Sequence, residues 1–191
     1  HNLKILKIIK SNLDGFSKIS SERLLDEFQK LVKSEGFLKL SKDKYCLEII
    51  NLIFPQIKNI NMFGRLNNFS KKNFFNIDFI VLLSLMIIDG TDNVDYFIYK
   101  FNISKKDQKR LLFLNNFYSQ KITTKTFSII NLNKILYFNG REALMDIIYF
   151  KIFKSKKIDS NLIEMIKIFK SKEIPVMPLK TSTLMEKYNI S

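Results

Sequence analysis

Between Ser20 and Val32 the apolar residues Leu24, Leu25, Phe28, Leu31 and Val32 fall at i, i+1, i+4, i+7 and i+8, with charged residues between them. That is one stripe on a helix of 3.6-residue period. Ser20 stands where a helix needs an acceptor for its first free N–H groups, and Glu22 and Asp26 sit near the positive end of the dipole. Arg23–Glu27 and Asp26–Lys30 are i,i+4 pairs, and Gly36 supplies a stop. The spacing predicts a helix over 20–34. A helical segment over 2–15 precedes it, through Leu3, Ile5, Leu6, Ile8 and Ile9. Another follows over 43–53, with Tyr45, Ile49, Ile50 and Ile53 inward, ended by Phe54-Pro55 because proline disfavours helix at the residue before it.

Residues 56–73 are rich in Asn and Lys and read as a loop or short helix carrying Phe63 and Leu66. They mark a boundary between a neck-like region, 1–60, and a body and tail region, 61–191. Ile77–Ile88 is a nearly unbroken apolar run opened by Asn76 or Asp78, too short for a bilayer and therefore a buried helix. Asp89-Gly90-Thr91 turns the chain into a helix over 92–101 that presents Val94, Phe97, Ile98 and Phe101. Ser104-Lys105-Lys106-Asp107 reads as a capping box with aspartate in the usual glutamate place, opening a helix to Tyr118 through Leu111, Leu112, Leu114 and Phe117. Helices over 125–138 and 140–154 are broken at Asn139-Gly140. Ser155-Lys156-Lys157 is a basic connector, and Asp159 caps a helix to Lys170. Pro175 and Pro178 mark an extended strap before a last turn at 182–188. No period-2 alternation is sustained, so the fold class is all-α, an array of packed antiparallel helices.

Composition narrows the chemistry. The 191 residues are 46% hydrophobic with 18 Phe, which excludes a disordered tail. Cys46 is the single cysteine and lies on the stripe Cys46, Ile49, Ile50, Ile53, so it reads as a structural thiol in a reducing, cytoplasmic setting. The one histidine is His1, which leaves no Ser/His or Cys/His pair, no His-metal cluster and no catalytic constellation. Asp92 and Asp95 are i,i+3 and read as solvated acids, not metal ligands. No initiator methionine precedes His1, and the sequence reads as a fragment.

Charge adds a partner. The net charge is +14, yet residues 1–99 carry 14 basic and 11 acidic groups while residues 100–172 carry 16 and 5. A field massed in one third of the chain points to a polyanion, with Lys105, Lys106, Lys109, Arg110, Arg141, Lys151, Lys154, Lys156 and Lys157 as the phosphate candidates. Lys, Asn and Ile are abundant throughout, so a helical protein-interaction module with a merely solvated basic face stays open beside an RNA-binding one.

The order of residues in the first helix says more. Ile19-Ser20-Ser21-Glu22-Arg23-Leu24-Leu25-Asp26-Glu27-Phe28-Gln29-Lys30-Leu31 resembles the neck-helix motif of the class II tRNA nucleotidyltransferase and bacterial poly(A) polymerase family. Asn102–Leu111 resembles that family's L-S-N-x-E-R-x-R-L helix start. Leu136-Tyr137-Phe138-Asn139-Gly140-Arg141-Glu142-Ala143-Leu144-Met145-Asp146 resembles its L-Y-R-x-G-R-E-x-x-x-D segment, and Pro175–Met185 is similar to its P-x-F-P-L-T-G-x-D-L-M strap. The landmarks come in the family's order.

The resemblance implies the RNA-binding C-terminal part of such an enzyme, with no catalytic residue and no metal in this chain. An N-terminal head domain would supply the catalysis, using Mg2+ with ATP or CTP. Glu22, Arg23 and Glu27 would brace that head. The body and tail would hold the 3′ end of an RNA, a tRNA above all, and no membrane is involved. The head's Gly-Ser pair and paired aspartates have no counterpart here, so the chain by itself is expected to be inactive. A stand-alone helical RNA-binding or protein-interaction module without catalytic activity is the alternative.

Overall fold

The protein is described by a computed structural model covering residues 2–174 and Lys187, and among these residues it is all-α. The helices are α1 (Asn2–Ser11), α2 (Ser21–Lys33), α3 (Phe37–Leu40), α4 (Lys44–Ile53), α5 (Asn68–Asn73), α6 (Phe79–Ile87), α7 (Asn93–Phe101), α8 (Lys105–Ser119), α9 (Ile129–Lys154) and α10 (Ser160–Ser171), with short 3-10 turns at Leu13–Lys18, Ile60–Arg65, Phe74–Asn76 and Thr124–Phe127. The strap at Pro175–Met185 and the last turn at 182–188 lie, Lys187 apart, outside the described residues. No described helix is long and apolar enough to cross a membrane.

The array is built around α6. All nine of its residues are buried, and it packs against α2, α7, α8 and α9. A helix that is apolar all round has no solvent face to offer, so it becomes the centre of the core. Its ends are satisfied by other parts of the chain. Asp78 accepts from the Ile80 N–H at 2.9 Å, and the Ile87 carbonyl accepts from Asn93 Nδ2 at 2.8 Å. The Met86 carbonyl accepts from the Lys58 and Asn59 N–H groups. These bonds relieve the orphan groups every helix end carries.

One contiguous core runs from Phe28 to Phe169. The segment 56–73 is threaded through it, with Ile57, Ile60, Phe63 and Leu66 buried, so the regions either side of that segment share a core. Asn67 in this segment donates to the Ile152 and Ser155 carbonyls at the end of α9, at 3.0 and 2.9 Å.

The N-terminal helices depart in detail from their spacing. α2 is capped by Ser20, whose hydroxyl accepts from the Arg23 N–H at 3.3 Å, and buries Phe28 and Val32. It ends at Lys33, before Gly36, whose φ of −74° is ordinary and which opens α3 instead. Lys30 pairs with Glu27 at 2.8 Å rather than with Asp26. α1 stops at Ser11, and the rest of the 2–15 segment is 3-10. Tyr45, expected inward, is 38% exposed. α4 packs chiefly against α1 and the Leu13–Lys18 turn and sends Ile50 into the core, while Tyr45 at its first turn is left toward solvent. Cys46 is half-buried, and burial followed by the neighbouring Asp43 pushes its thiol up.

Candidate nucleic-acid interface

α8 and α9 carry most of the predicted cations. Ser104 caps α8, accepting from the Asp107 N–H at 3.2 Å, and donates its own hydroxyl to the Asp107 carboxylate at 2.7 Å. The shorter aspartate thus bonds the cap's hydroxyl, where a capping-box glutamate would reach the cap's backbone N–H. From this start Lys105, Lys106 and Lys109 point to solvent and Arg110 points inward.

Arg110 is 8% exposed, and its guanidinium is enclosed by carboxylates. Nε and one terminal nitrogen meet the Asp146 oxygens at 2.8 Å each. The other terminal nitrogen lies 3.1 Å from Asp78, 3.5 Å from Glu142 and 3.8 Å from Asp107. Burial alone would ease the proton off, but Asp146 and then Asp78 and Glu142 more than offset it and hold the guanidinium above its usual value. Burial dominates at Asp146 and holds its carboxyl above the aspartate range, with Arg110 pulling the other way. This bidentate pair clamps α8 to α9 at the N-cap of α6. Arg110 is therefore a fastening of the fold and leaves the set of phosphate candidates.

Arg141 is half-buried. Its terminal nitrogen donates to the Lys172 carbonyl, tying α9 to the chain after α10. Lys151 is half-buried with its ammonium 5.9 Å from the Phe127 ring centre. Lys154 lies 5.5 Å over Phe150 and joins Lys156 around a cavity of about 160 Å³, where Arg65 adds a third cation. Lys157 is exposed, and its carbonyl accepts from the Ser155 hydroxyl.

Lys105, Lys106 and Lys109 are brought together. They line one wall of an open groove of about 690 Å³ between the first turns of α8 and the middle of α9, which contributes Phe138, Asn139 and Ala143. Lys106 is salt-bridged across it to Glu142 at 2.9 Å. The positive end of the α8 dipole lies at the same place and adds to the field. On the far wall α9 breaks at Gly140, at φ 80° and ψ 173°. This is the interruption expected at Asn139-Gly140. Just before it Phe138 stands 75% exposed, with the Tyr137 ring perpendicular to it at 4.9 Å.

Phe138 and Arg65 were not among the predicted site residues. Arg65 gave no signal, being one more cation in a stretch rich in Asn and Lys. Phe138 did give one. On a helix it lies about 240° round from buried Leu132, and Tyr137 about 140°, so both fall off the apolar stripe.

Glu22, Arg23 and Glu27 all stand on the solvent face of α2, and none lines this groove. Glu22 accepts from Asn102 Nδ2 at 3.2 Å, and its carboxyl is held low first by its own backbone N–H and then by Asn102. Lys30 holds the Glu27 carboxyl low. No family model, curated protein or solved structure matches the chain.

Proposed function

We propose that this chain is an RNA-gripping helical region that positions an RNA 3′ end, a tRNA acceptor arm in the first instance. It would do so as the C-terminal part of a tRNA nucleotidyltransferase or poly(A) polymerase. One observation carries the RNA reading. Lys105, Lys106 and Lys109 come from a stretch with a threefold excess of basic groups and line one groove at the positive end of a helix. A cationic wall of this kind binds phosphate by counterion release and is indifferent to sequence.

The narrower assignment draws on the sequence landmarks. Arg110 comes from one of them and Asp146 from another, and the two are bonded to each other. Each stands at a position that the resembled pattern specifies. The chemistry of nucleotide addition falls to a head domain. Among the described residues no group of three or more His, Cys, Asp or Glu could hold a metal ion. The four acids that do converge have the Arg110 guanidinium between them, where a cation would otherwise sit. The Mg2+ that the resemblance implies would be held by that head domain.

Fluorescence anisotropy with labelled tRNA at a series of salt concentrations tests the reading. Binding should weaken steeply with salt. Lys105→Ala with Lys109→Ala should flatten the log–log slope by roughly 1.5, since each phosphate contact contributes about −0.7 to −0.9. The same pair of changes should move stability by less than about 0.5 kcal/mol, as expected of exposed side chains. If micromolar protein binds no tRNA even at low salt, the RNA reading fails.

A further inference from the structure

The two walls of the α8–α9 groove are chemically unlike. Lys105 and Lys109 stand on α8, and neither has a salt-bridge partner among the described residues. Opposite them Phe138 presents a flat apolar ring to water. An exposed Phe usually needs no explanation when it stands alone. This one stands two residues before a backbone conformation that favours glycine. At Gly140, φ 80° with ψ 173° is a combination that costs any L side chain dearly. A Cβ added there would meet no atom within 4 Å, so packing does not require the glycine. What requires it is the bend, and the bend ends the first half of α9 with Phe138 facing the lysines across the groove.

We propose that this groove is a single-strand site: Phe138 stacks on an unpaired nucleobase while Lys105 and Lys109 hold the phosphates beside it. The inference rests on the RNA reading above and sharpens it. An RNA strand carries anions along one edge and flat apolar faces along the other, which matches the two walls. A base-paired helix turns its backbone outward and keeps its bases stacked inside, so it would use the lysines and leave Phe138 in water. At about 690 Å³ the groove is within the range of ligand-binding clefts, roughly 300–1,000 Å³. Phe138 also departs from the resembled pattern, which carries arginine at that position.

The test uses the 191-residue chain with two probes, a 12-nucleotide oligoadenylate containing 2-aminopurine and a blunt RNA duplex of the same length. The chain has no Trp, so 2-aminopurine can be excited without interference from indole. The parent should quench the fluorescence on binding, as stacking does. Phe138→Ala should abolish the quench and weaken single-strand binding about tenfold, the loss expected for one base–aromatic stack. Duplex binding should change by less than about twofold, because phosphate contacts alone carry it. Phe138→Tyr should keep both quench and affinity, and the thermal melt of each variant should match the parent's.

Unchanged quench in Phe138→Ala, or equal losses for duplex and single strand, would overturn the inference while leaving tRNA binding standing. A parent dimer that Phe138→Ala dissolves would also overturn it, making this face a contact between copies. Absence of binding to tRNA and to both probes would instead be a failure of the RNA reading itself.

Discussion

Lys109 and Arg110 are neighbours in the chain, yet one faces water along an open groove and the other lies inside a ring of four carboxylates. The floor of the α8–α9 seam, made by Arg110 with Asp146, is charge sealed from solvent. The rim, made by Lys105, Lys109 and Phe138, is charge and apolar surface left open. A guanidinium taken out of water must be repaid by fixed partners, so a buried arginine is already spoken for. An exposed lysine keeps its hydration and remains available to a ligand. The residues that look alike as positive charge therefore divide by burial into those fastened in the fold and those left open to solvent. The floor is built by positions that the resembled pattern specifies, and the rim includes one that departs from it.

The most severe test of this division is Arg110→Met. It strands Asp146, which is 4% exposed, without its partner. A loss of about 3–5 kcal/mol is expected on breaking a buried pair from one side. Urea unfolding followed by circular dichroism measures it, and adding Asp146→Leu should recover most of that loss, since apolar replacements of both partners are often near neutral. If Arg110→Met instead unfolds like the parent but loses tRNA binding, the floor and rim have been assigned the wrong way round.

Gly140→Ala comes next. With φ at 80°, the alanine must either adopt a strained backbone or straighten α9, at a cost of roughly 1–3 kcal/mol. The same unfolding measurement applies, and a change below about 0.5 kcal/mol would mean that the bend is not a fixed feature of the rim.

The smallest effect concerns the other end of the seam, where the Tyr118 hydroxyl donates to the Ile147 carbonyl at 2.7 Å and the ring lies 4.2 Å from Phe150. Burial pushes this phenol well above its ordinary value. The folded state thus keeps a proton that the unfolded chain gives up near pH 10, and stability falls as pH rises past that point. Tyr118→Phe should weaken the fold by about 1 kcal/mol at pH 7, one hydrogen bond's worth. It should also reduce the further loss between pH 9 and pH 11. Parallel alkaline limbs in parent and variant would show that the phenol is not sealed in the seam.

Much of the helix order was legible in advance because its signals are local. Ser20, Asp78, Ser104 and Asp159 each bond N–H groups two or three residues away, as their positions before apolar stripes foretold. The break at Asn139-Gly140 was visible for the same reason. Elements at the edge were less so. Tyr45 sits on a well-formed stripe and still meets solvent, because a stripe tells which face is apolar and not whether anything packs upon it.

Of the candidate site, Lys105, Lys106 and Lys109 were read as phosphate contacts, and they stand exposed along one groove. Arg110 and Arg141 were read the same way and are both engaged by the fold, through partners that lie 36 and 31 residues further along the chain. No spacing rule connects residues so far apart.

By itself, then, the amino-acid sequence determined where helices start, stop and break, and that positive charge gathers in residues 100–172. These are matters of a side chain and its own nearby backbone, or of simple addition. Which of those charges face solvent, and that an aromatic ring stands across from them, was decided only when α8 and α9 packed over α6. Desolvation depends on every neighbour at once, and those neighbours come from distant parts of the chain.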